Sequence, residues 1–378
     1  VHNCKKIKLK KLHLISFNVP FPADYGGIID VFYKIKALKE RGLGIILHCF
    51  EYGREPSEVL NKYCLEVHYY QRYKGPLHLL DSLPYIVNTR TSQELETNLK
   101  KNNFPIIFEG LHTTSCIKQI GSNNRKLIVR THNVEHDYYK GLMEAETDIT
   151  RKMYYYSESV KLKRYEKILS QADGIAAISL SDKDYFSKKF NNVHYIPAFH
   201  QFKKVESIIG KGSYVLFHGN LSVPENKKAA LYIINNIFRS CEYNLVVAGK
   251  EPDNELIKAA EGKDNISIIA DPDNERMDEL ISNAHINLLI TFQSTGIKLK
   301  LLSSLFRGRF CLVNIQMVEN TGLESLCNIA ESDDEFMIKL NELFGQVFTE
   351  HEINKRRAIL ESELSNVKNA EKLERMLF

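Results

Sequence analysis

The residues of this chain that are able to do chemistry collect at the ends of apolar runs, with no single motif holding them. Glu109 and His112 follow the run FPIIFEG, and Arg130, His132, Asn133 and Glu135 lie in RTHNVEH. Gly26 and Gly27 follow LHLISFNV across the loop PFPADY, where two prolines fix the path and the glycines let backbone approach a ligand. In the second half Gly219 and Asn220 end SYVLFHGN, Lys227 and Lys228 lie one turn into the next helix, Gly249 and Lys250 close NLVVAGK, and Asp271 closes NISIIAD. Thr291, Gln293, Thr295, Gly296, Ile297, Lys298 and Lys300 follow HINLLI, and Thr321, Gly322 and Glu324 follow FCLVN. Carboxylates and imidazoles can carry protons. Glycine turns that open a helix beside lysines suit phosphate.

The stretch TFQSTGIKLKLLSSLFRGRFCLVN (291–314) carries the strongest signal. It reads as strand, turn, amphipathic helix, Gly308 stop and second strand. The first peptide N–H groups of that helix lack intrahelical partners, and the dipole makes its start positive. Lys298 and Lys300 add charge where cations are normally unfavourable. They lie roughly 200° apart on a helix, so one of them faces a ligand, and Lys300 is preferred. Taken singly, each of these residues is more often structural or merely solvated. Together they line one edge of two sheets, where open parallel sheets bind ligands.

Several functions are excluded. No G-x-G-x-x-G or G-x-x-x-x-G-K follows either opening strand, which disfavours dehydrogenase and kinase chemistry. None of the 13 histidines stands in an H-E-x-x-H or H-x-H pattern, so no metal site is expected. A net charge of +4 and a pI of about 8.5 fall short of a nucleic-acid binder. Seven scattered cysteines without a C-x-x-C pair suggest a reducing compartment. No signal peptide or membrane span is expected, so the reading is a cytoplasmic protein. The Lys5–Lys11 cluster offers peripheral contact with a membrane.

The elements that must position these residues alternate. Strands are expected over 12–19, 44–50, 64–70, 104–110, 126–133, 174–179 and 193–199, with helices between them. After a polar, Gly-containing linker at 200–212 the alternation restarts. Two such runs within 378 residues mean two doubly wound α/β domains facing across a cleft, over 1–199 and 200–350, with a helical tail over 351–378 able to pack on the first.

At this point the chain resembles glycosyltransferases of the GT-B fold, closest to the retaining family 4 and its glycosyltransferase-group-1 domain. FNVPFPADYGG, LIVRTHNVEHDYY, YEKILSQADGIAAIS, LFHGNLSVPEN, LVVAGKEP and TGIKLKLLSSLFRGRFCLVN carry the resemblance, in the family's order over nearly the whole chain. It implies two Rossmann-like domains and transfer of a sugar from a nucleotide-diphosphate donor to a glycan or lipid-linked acceptor, with no cofactor and no catalytic metal. By position, Gly26 and Gly27 match the loop approaching donor and acceptor, and His112 the region of a histidine near the reacting sugar. Gly219 and Asn220 match the place where a basic residue often holds the diphosphate, a charge Asn220 lacks. Lys227 or Lys228 matches a second basic residue, and Gln293 to Lys300 the donor loop. The family's two glutamates, eight residues apart, fall near Thr295 and Ser303, neither acidic, with Glu324 as the substitute.

A retaining front-face reaction lets the leaving phosphate accept the acceptor's proton; by any other route Glu109 is the candidate base. The rivals are a nucleotide-sugar 2-epimerase of the same fold, which would need no acceptor, and a non-catalytic scaffold, which would bind no nucleotide.

Overall fold

The computed structural model describes residues 9–73, 75, 79, 81–122, 124–146, 148–292 and 299–378. The chain divides into two compact units, Val1–Gln201 with Leu364–Phe378, and Phe202–Glu363.

The first unit holds seven strands: β1 Lys11–Ser16, β2 Gly44–Glu51, β3 Glu66–Gln71, β4 Ile106–Glu109, β5 Leu127–Thr131, β6 Gly174–Ala177 and β7 Val193–Tyr195. Their order is β3-β2-β1-β4-β5-β6-β7, and every described pairing is parallel. β2 is buried at Gly44–Phe50 without alternation, as a strand covered on both faces must be. Leu12, Leu14, Leu47, Ile107, Ile128 and Ala176 pack on one face, while Ile15, Phe50, Phe108, Val129 and Ala177 pack on the other. Strand side chains alternate between faces, so one sheet nucleates two apolar layers.

The helix Gly26–Glu40 covers the first face through Ile28, Val31, Phe32, Ile35 and Leu38. It gives way at Gly42, whose φ of +80° is cheap only for glycine. The helix Asn366–Leu377 adds Ala370, Leu373 and Leu377 to the same layer, and its Glu374 accepts from Lys10 and Arg41.

A polar chain crosses three neighbouring strands. His13 Nε2 lies 2.8 Å from Asn102 Oδ1, His13 Nδ1 2.9 Å from His48 Nε2, and His48 Nδ1 2.8 Å from the Tyr70 hydroxyl, which accepts from Asn98 at 2.9 Å. Asn102 Oδ1 can only accept, so one set of tautomers satisfies the chain. His13 donates to Asn102, His48 donates to His13, and Tyr70 donates to His48.

The second unit holds β8 Tyr214–Asn220, β9 Asn244–Lys250, β10 Ile266–Ala270, β11 Ile286–Leu289, β12 Phe310–Val313 and β13 Asn328–Ile329, in the order β10-β9-β8-β11-β12-β13. Its described pairings are also all parallel. Both sheets therefore repeat one doubly wound order, each with a switch point where the connections reverse: between β1 and β4, and between β8 and β11.

Two expectations need adjustment. The stretch 200–212 divides: His200 bonds Leu364 and Asn366 of the first unit, while from Phe202 on it is tied into the second, with Phe202 and Val205 buried and Gly210 bridged to Phe348. The tail 351–378 divides: Glu350–Glu363 belongs to the second unit, where Arg356 donates to the carbonyls of Leu305 and Gly308, and Leu364–Phe378 to the first. Between β5 and β6 lie two helices, Glu135–Ala145 and Ile149–Tyr165, the second followed by a 3-10 turn.

Candidate active site

At the switch point of the first sheet the register places Glu109, the last residue of β4, beside Arg130 of β5. Glu109 is fully buried. Its carboxylate accepts from Lys34 Nζ at 2.7 and 2.8 Å and from His132 Nε2 at 2.9 Å. Lys34, also fully buried, donates to Asp30 one turn earlier at 2.8 Å. Arg130 holds the same Asp30 at 2.9 Å and donates to the Pro197 carbonyl at 3.0 Å. Two carboxylates thus face two cations. Burial alone would push the Glu109 carboxyl up, but the Lys34 ammonium and the His132 bond outweigh it and hold it below its usual range. Burial likewise opposes ionisation of Asp30, and Arg130 and Lys34 overcome it.

His132 is fixed by this arrangement. An ionised Glu109 can only accept, so the imidazole donates from Nε2, and Nδ1 is the nitrogen left to act on a ligand. Asp30, Glu109 and His132 lie close enough to ligate one cation. The Lys34 ammonium already bridges both carboxylates, so a dication would have to enter against it; these residues do not fit a metal.

His112 joins the group through an aromatic partner. The Phe17 ring lies 5.4 Å from the ring of His112 and 5.4 Å from that of His132. A Cβ on Gly27 would meet the tip of the Phe17 ring at 2.8 Å and push that ring toward the histidines. Gly110 has φ +69°, and a Cβ on it would meet His112 Nδ1 at 2.7 Å. That same Nδ1 lies 3.8 Å from Glu135 Oε1. Burial pushes the Glu135 carboxyl up to about 8, with Asp182 adding to it, while burial and then Arg90 push His112 down. At neutral pH the pair is an uncharged acid beside an uncharged imidazole. Gly26 opens its helix, and Asn133 is half-buried beside His132.

The second sheet assembles a different set. Gln293, Ser294, Thr295, Gly296, Ile297 and Lys298 lie outside the described residues. On either side of them, Thr291 is buried, its N–H donating to Asn314 Oδ1 at 3.1 Å and its hydroxyl bonding Glu225. Lys300, in the first turn of the helix Leu299–Arg307, donates to Asn226 Oδ1 at 3.0 Å. Asn226 in turn donates to the Asn220 carbonyl at 2.9 Å, at the end of β8. His218 of β8 lies 3.0 Å from the Ser304 hydroxyl, tying that helix to the strand. Burial, and then Lys300, push His218 down to about 3, so it stays neutral. Lys300 is thereby set at the switch point between β8 and β11.

Of the two neighbouring lysines, Lys227 is paired with Asp253 and Glu255, while Lys228 lies 4.4 Å over the Phe292 ring. Gly249 is structural: it pairs with Gly219, and a Cβ on it would lie 1.8 Å from the Gly219 carbonyl oxygen. Asp271 accepts from the Glu251 N–H at 2.9 Å, bracing the turn after β9, and Lys250 is exposed. Glu324 lies half-buried in the turn Glu324–Leu326, beside Cys327. Thr321 bonds the Val318 carbonyl at 2.6 Å, and Gly322 has φ +75°.

The sequence reading missed Asp30, Lys34, Glu225, Asn226 and His218. The one available signal was the Asp30–Lys34 spacing, an i,i+4 ion pair at the border of an apolar helix face. Among the described residues no helix is long and apolar enough to cross a membrane.

No family model matches the chain. It is 27% identical over 348 residues to an uncharacterized 44.6 kDa protein in the cps region of Klebsiella pneumoniae, covering 87% of this chain and 89% of that one. Among solved structures it is similar to TarM, at 9% identity over 98% of this chain and 99% of that one, with a TM-score of 0.69. It is also similar to Arabidopsis thaliana UGT89C1 complexed with UDP-L-rhamnose, at 13% identity, 98% and 100% coverage and a TM-score of 0.60. A third likeness is to AviGT4, a glycosyltransferase involved in avilamycin A biosynthesis, at 15% identity, 97% of each chain and a TM-score of 0.55. The chain has the GT-B fold of two Rossmann-like units that glycosyltransferases use.

Proposed function

We propose that this GT-B chain is a glycosyltransferase that moves a hexose from a nucleoside-diphosphate sugar to a glycan or lipid-linked acceptor, with retention and without a metal. The observation that carries the reading is Lys300, held by Asn226 at the switch point of the second sheet and in the opening turn of a helix. A cation there, at the positive end of the helix dipole, is placed to stabilise a departing diphosphate by preorganised electrostatics. Lys228, which neighbours the Phe292 ring, is the second cation of this reading; Lys227 already has two carboxylates.

In a front-face reaction the bond from the anomeric carbon to the diphosphate oxygen breaks while the acceptor hydroxyl bonds to the same face. The hydroxyl proton passes to the departing phosphate oxygen. No protein base is required, which fits a Glu109 carboxylate already enclosed by Lys34 and His132. His132 then contacts the reacting sugar, and Glu109 is its positioning residue. Likeness to UGT89C1, crystallised with UDP-L-rhamnose, and to a TarM mutant solved with Fondaparinux, alpha-GlcNAc-glycerol and UDP, supports a uridine nucleotide as the first donor to test. The cps-region relative supports surface polysaccharide as the acceptor class.

The test is a thermal-shift screen against UDP, GDP, ADP and their sugars, followed by transfer assays with the nucleotide that binds. Selective binding raises the melting temperature. Lys300→Ala should then lower kcat/KM about 10- to 100-fold, the scale of one charged hydrogen bond, while the ligand-free melting temperature stays near that of the parent. A chain that melts identically with every nucleotide is not a glycosyltransferase. One that interconverts sugar nucleotides without an acceptor is an epimerase.

A further inference from the structure

The helix Ile149–Tyr165 carries an apolar stripe on its solvent face. Ile149, Met153 and Tyr156 fall at i, i+4 and i+7 and are 73%, 69% and 62% exposed. Val160 continues the stripe, half-buried. At 100° per residue, exposed Lys152, Lys163 and Arg164 flank it within about 70° of its centre. The helix's one carboxylate, Glu158, lies on the opposite face, buried, accepting from the Tyr85 N–H at 2.6 Å and pairing with Lys161 at 3.0 Å. The outward face of the helix therefore combines apolar side chains with cations, and the exposed carboxylate of Asp148 just before it is engaged as the helix cap, accepting from the Arg151 N–H.

The hairpin is aimed away from its own sheet. Ser159 donates to the His136 carbonyl at 2.8 Å, and the Tyr139 and Tyr155 rings lie 6.1 Å apart, so the helix runs antiparallel to Glu135–Ala145. Glu135, at the root of that partner, lies beside His112 at the carboxyl edge of the sheet. Ile149, Met153 and Tyr156 thus stand beyond this edge, on the side where His112 and His132 gather.

We propose that this face docks the protein on an anionic lipid bilayer, with Ile149, Met153 and Tyr156 at headgroup depth and Lys152, Lys163 and Arg164 against lipid phosphates. A shallow apolar insertion with a basic rim is the combination that holds a helix in a bilayer interface. A second copy of the chain is the poorer occupant, because a two-fold contact would set these cations against their own images. The Lys5–Lys11 cluster is a separate region: Lys10 pairs with Glu374, Lys11 lies over Phe104, and 1–8 fall outside the described residues.

The experiment is flotation of the full chain with vesicles of phosphatidylcholine alone or mixed with phosphatidylglycerol. The parent floats with the anionic vesicles, less so at high salt, and stays behind with the neutral ones. Met153→Ser with Tyr156→Ser, and separately Lys152→Glu with Lys163→Glu, each lower partitioning by about tenfold or more, with circular-dichroism melting unchanged because the sites are exposed. Variants that float like the parent overturn the proposal. So does a parent that ignores anionic vesicles, or a dimer in light scattering that the same substitutions dissolve. Flotation uses neither donor nor acceptor, so its failure leaves glycosyl transfer standing.

Discussion

At the scale of single residues, the buried quartet of Asp30, Lys34, Glu109 and Arg130 makes the sharpest demands. Each ion has left water and is tolerated only because the others face it. Lys34→Met should cost about 3–5 kcal/mol in urea denaturation, because Glu109 is then buried without its cation. Adding Glu109→Gln should recover part of that stability but not the transfer rate, since an amide no longer fixes the His132 tautomer. A rate that recovers with stability would remove Glu109 from positioning. Glu135 gives a pH-dependent prediction. Its folded pKa of about 8 lies above the unfolded value of 4.5, so the native state binds the extra proton and stability falls as pH rises from 4.5 through 8. Glu135→Gln should match the parent at pH 4 and melt higher at pH 8, by up to about 1.4 kcal/mol per pH unit of the window. Much of this chemistry was hidden in the sequence. Glu109, His112 and His132 stood out because they end apolar runs. Lys34 did not, since a lysine four residues after an aspartate normally reads as a solvated pair, and its burial depends on a glutamate 75 positions away.

Among the elements, the strands were the most legible. Parallel strands covered on both faces become near-continuous apolar runs, as in GIILHCFE and FCLV. Ser92 caps the helix Gln93–Leu99, accepting from the Leu95 N–H. β13 was missed because two residues at a sheet edge leave no periodicity to read. The helix Glu135–Ala145 has no apolar stripe to read, because the side chains it buries are Glu135 and His136, with Tyr138 and Tyr139 half-buried. The histidine chain across β1, β2 and β3 was also invisible, since its members are 35 and 22 positions apart. It predicts acid sensitivity. Burial pushes His13 down to about 4, below its unfolded value of 6.5, so the unfolded chain takes up the proton first and stability drains as pH falls from 6.5 to 4. Equilibrium unfolding followed over that range should lose on the order of 3 kcal/mol to this site, and a His13→Gln variant should lose less.

For the whole molecule, the alternation of strands and helices was enough to anticipate two doubly wound units, and the observed order repeats in both. What alternation does not encode is which unit claims a helix. Glu350–Glu363 and Asn366–Leu377 look alike in composition. Arg356 fastens one to the second unit by backbone carbonyls, and Leu373 and Leu377 fasten the other to the first by apolar burial. Leu373→Ala should therefore destabilise the first unit by about 2–5 kcal/mol, read as an earlier melting of that unit with the second unchanged.

The return of Asn366–Leu377 to the first unit also has a consequence during synthesis. The layer beneath the Gly26 helix lacks Ala370, Leu373 and Leu377 until all of Phe202–Glu363 has been translated. The nascent amino-terminal half therefore leaves the ribosome with an uncovered greasy flank, and chaperones should engage it until the late helix docks.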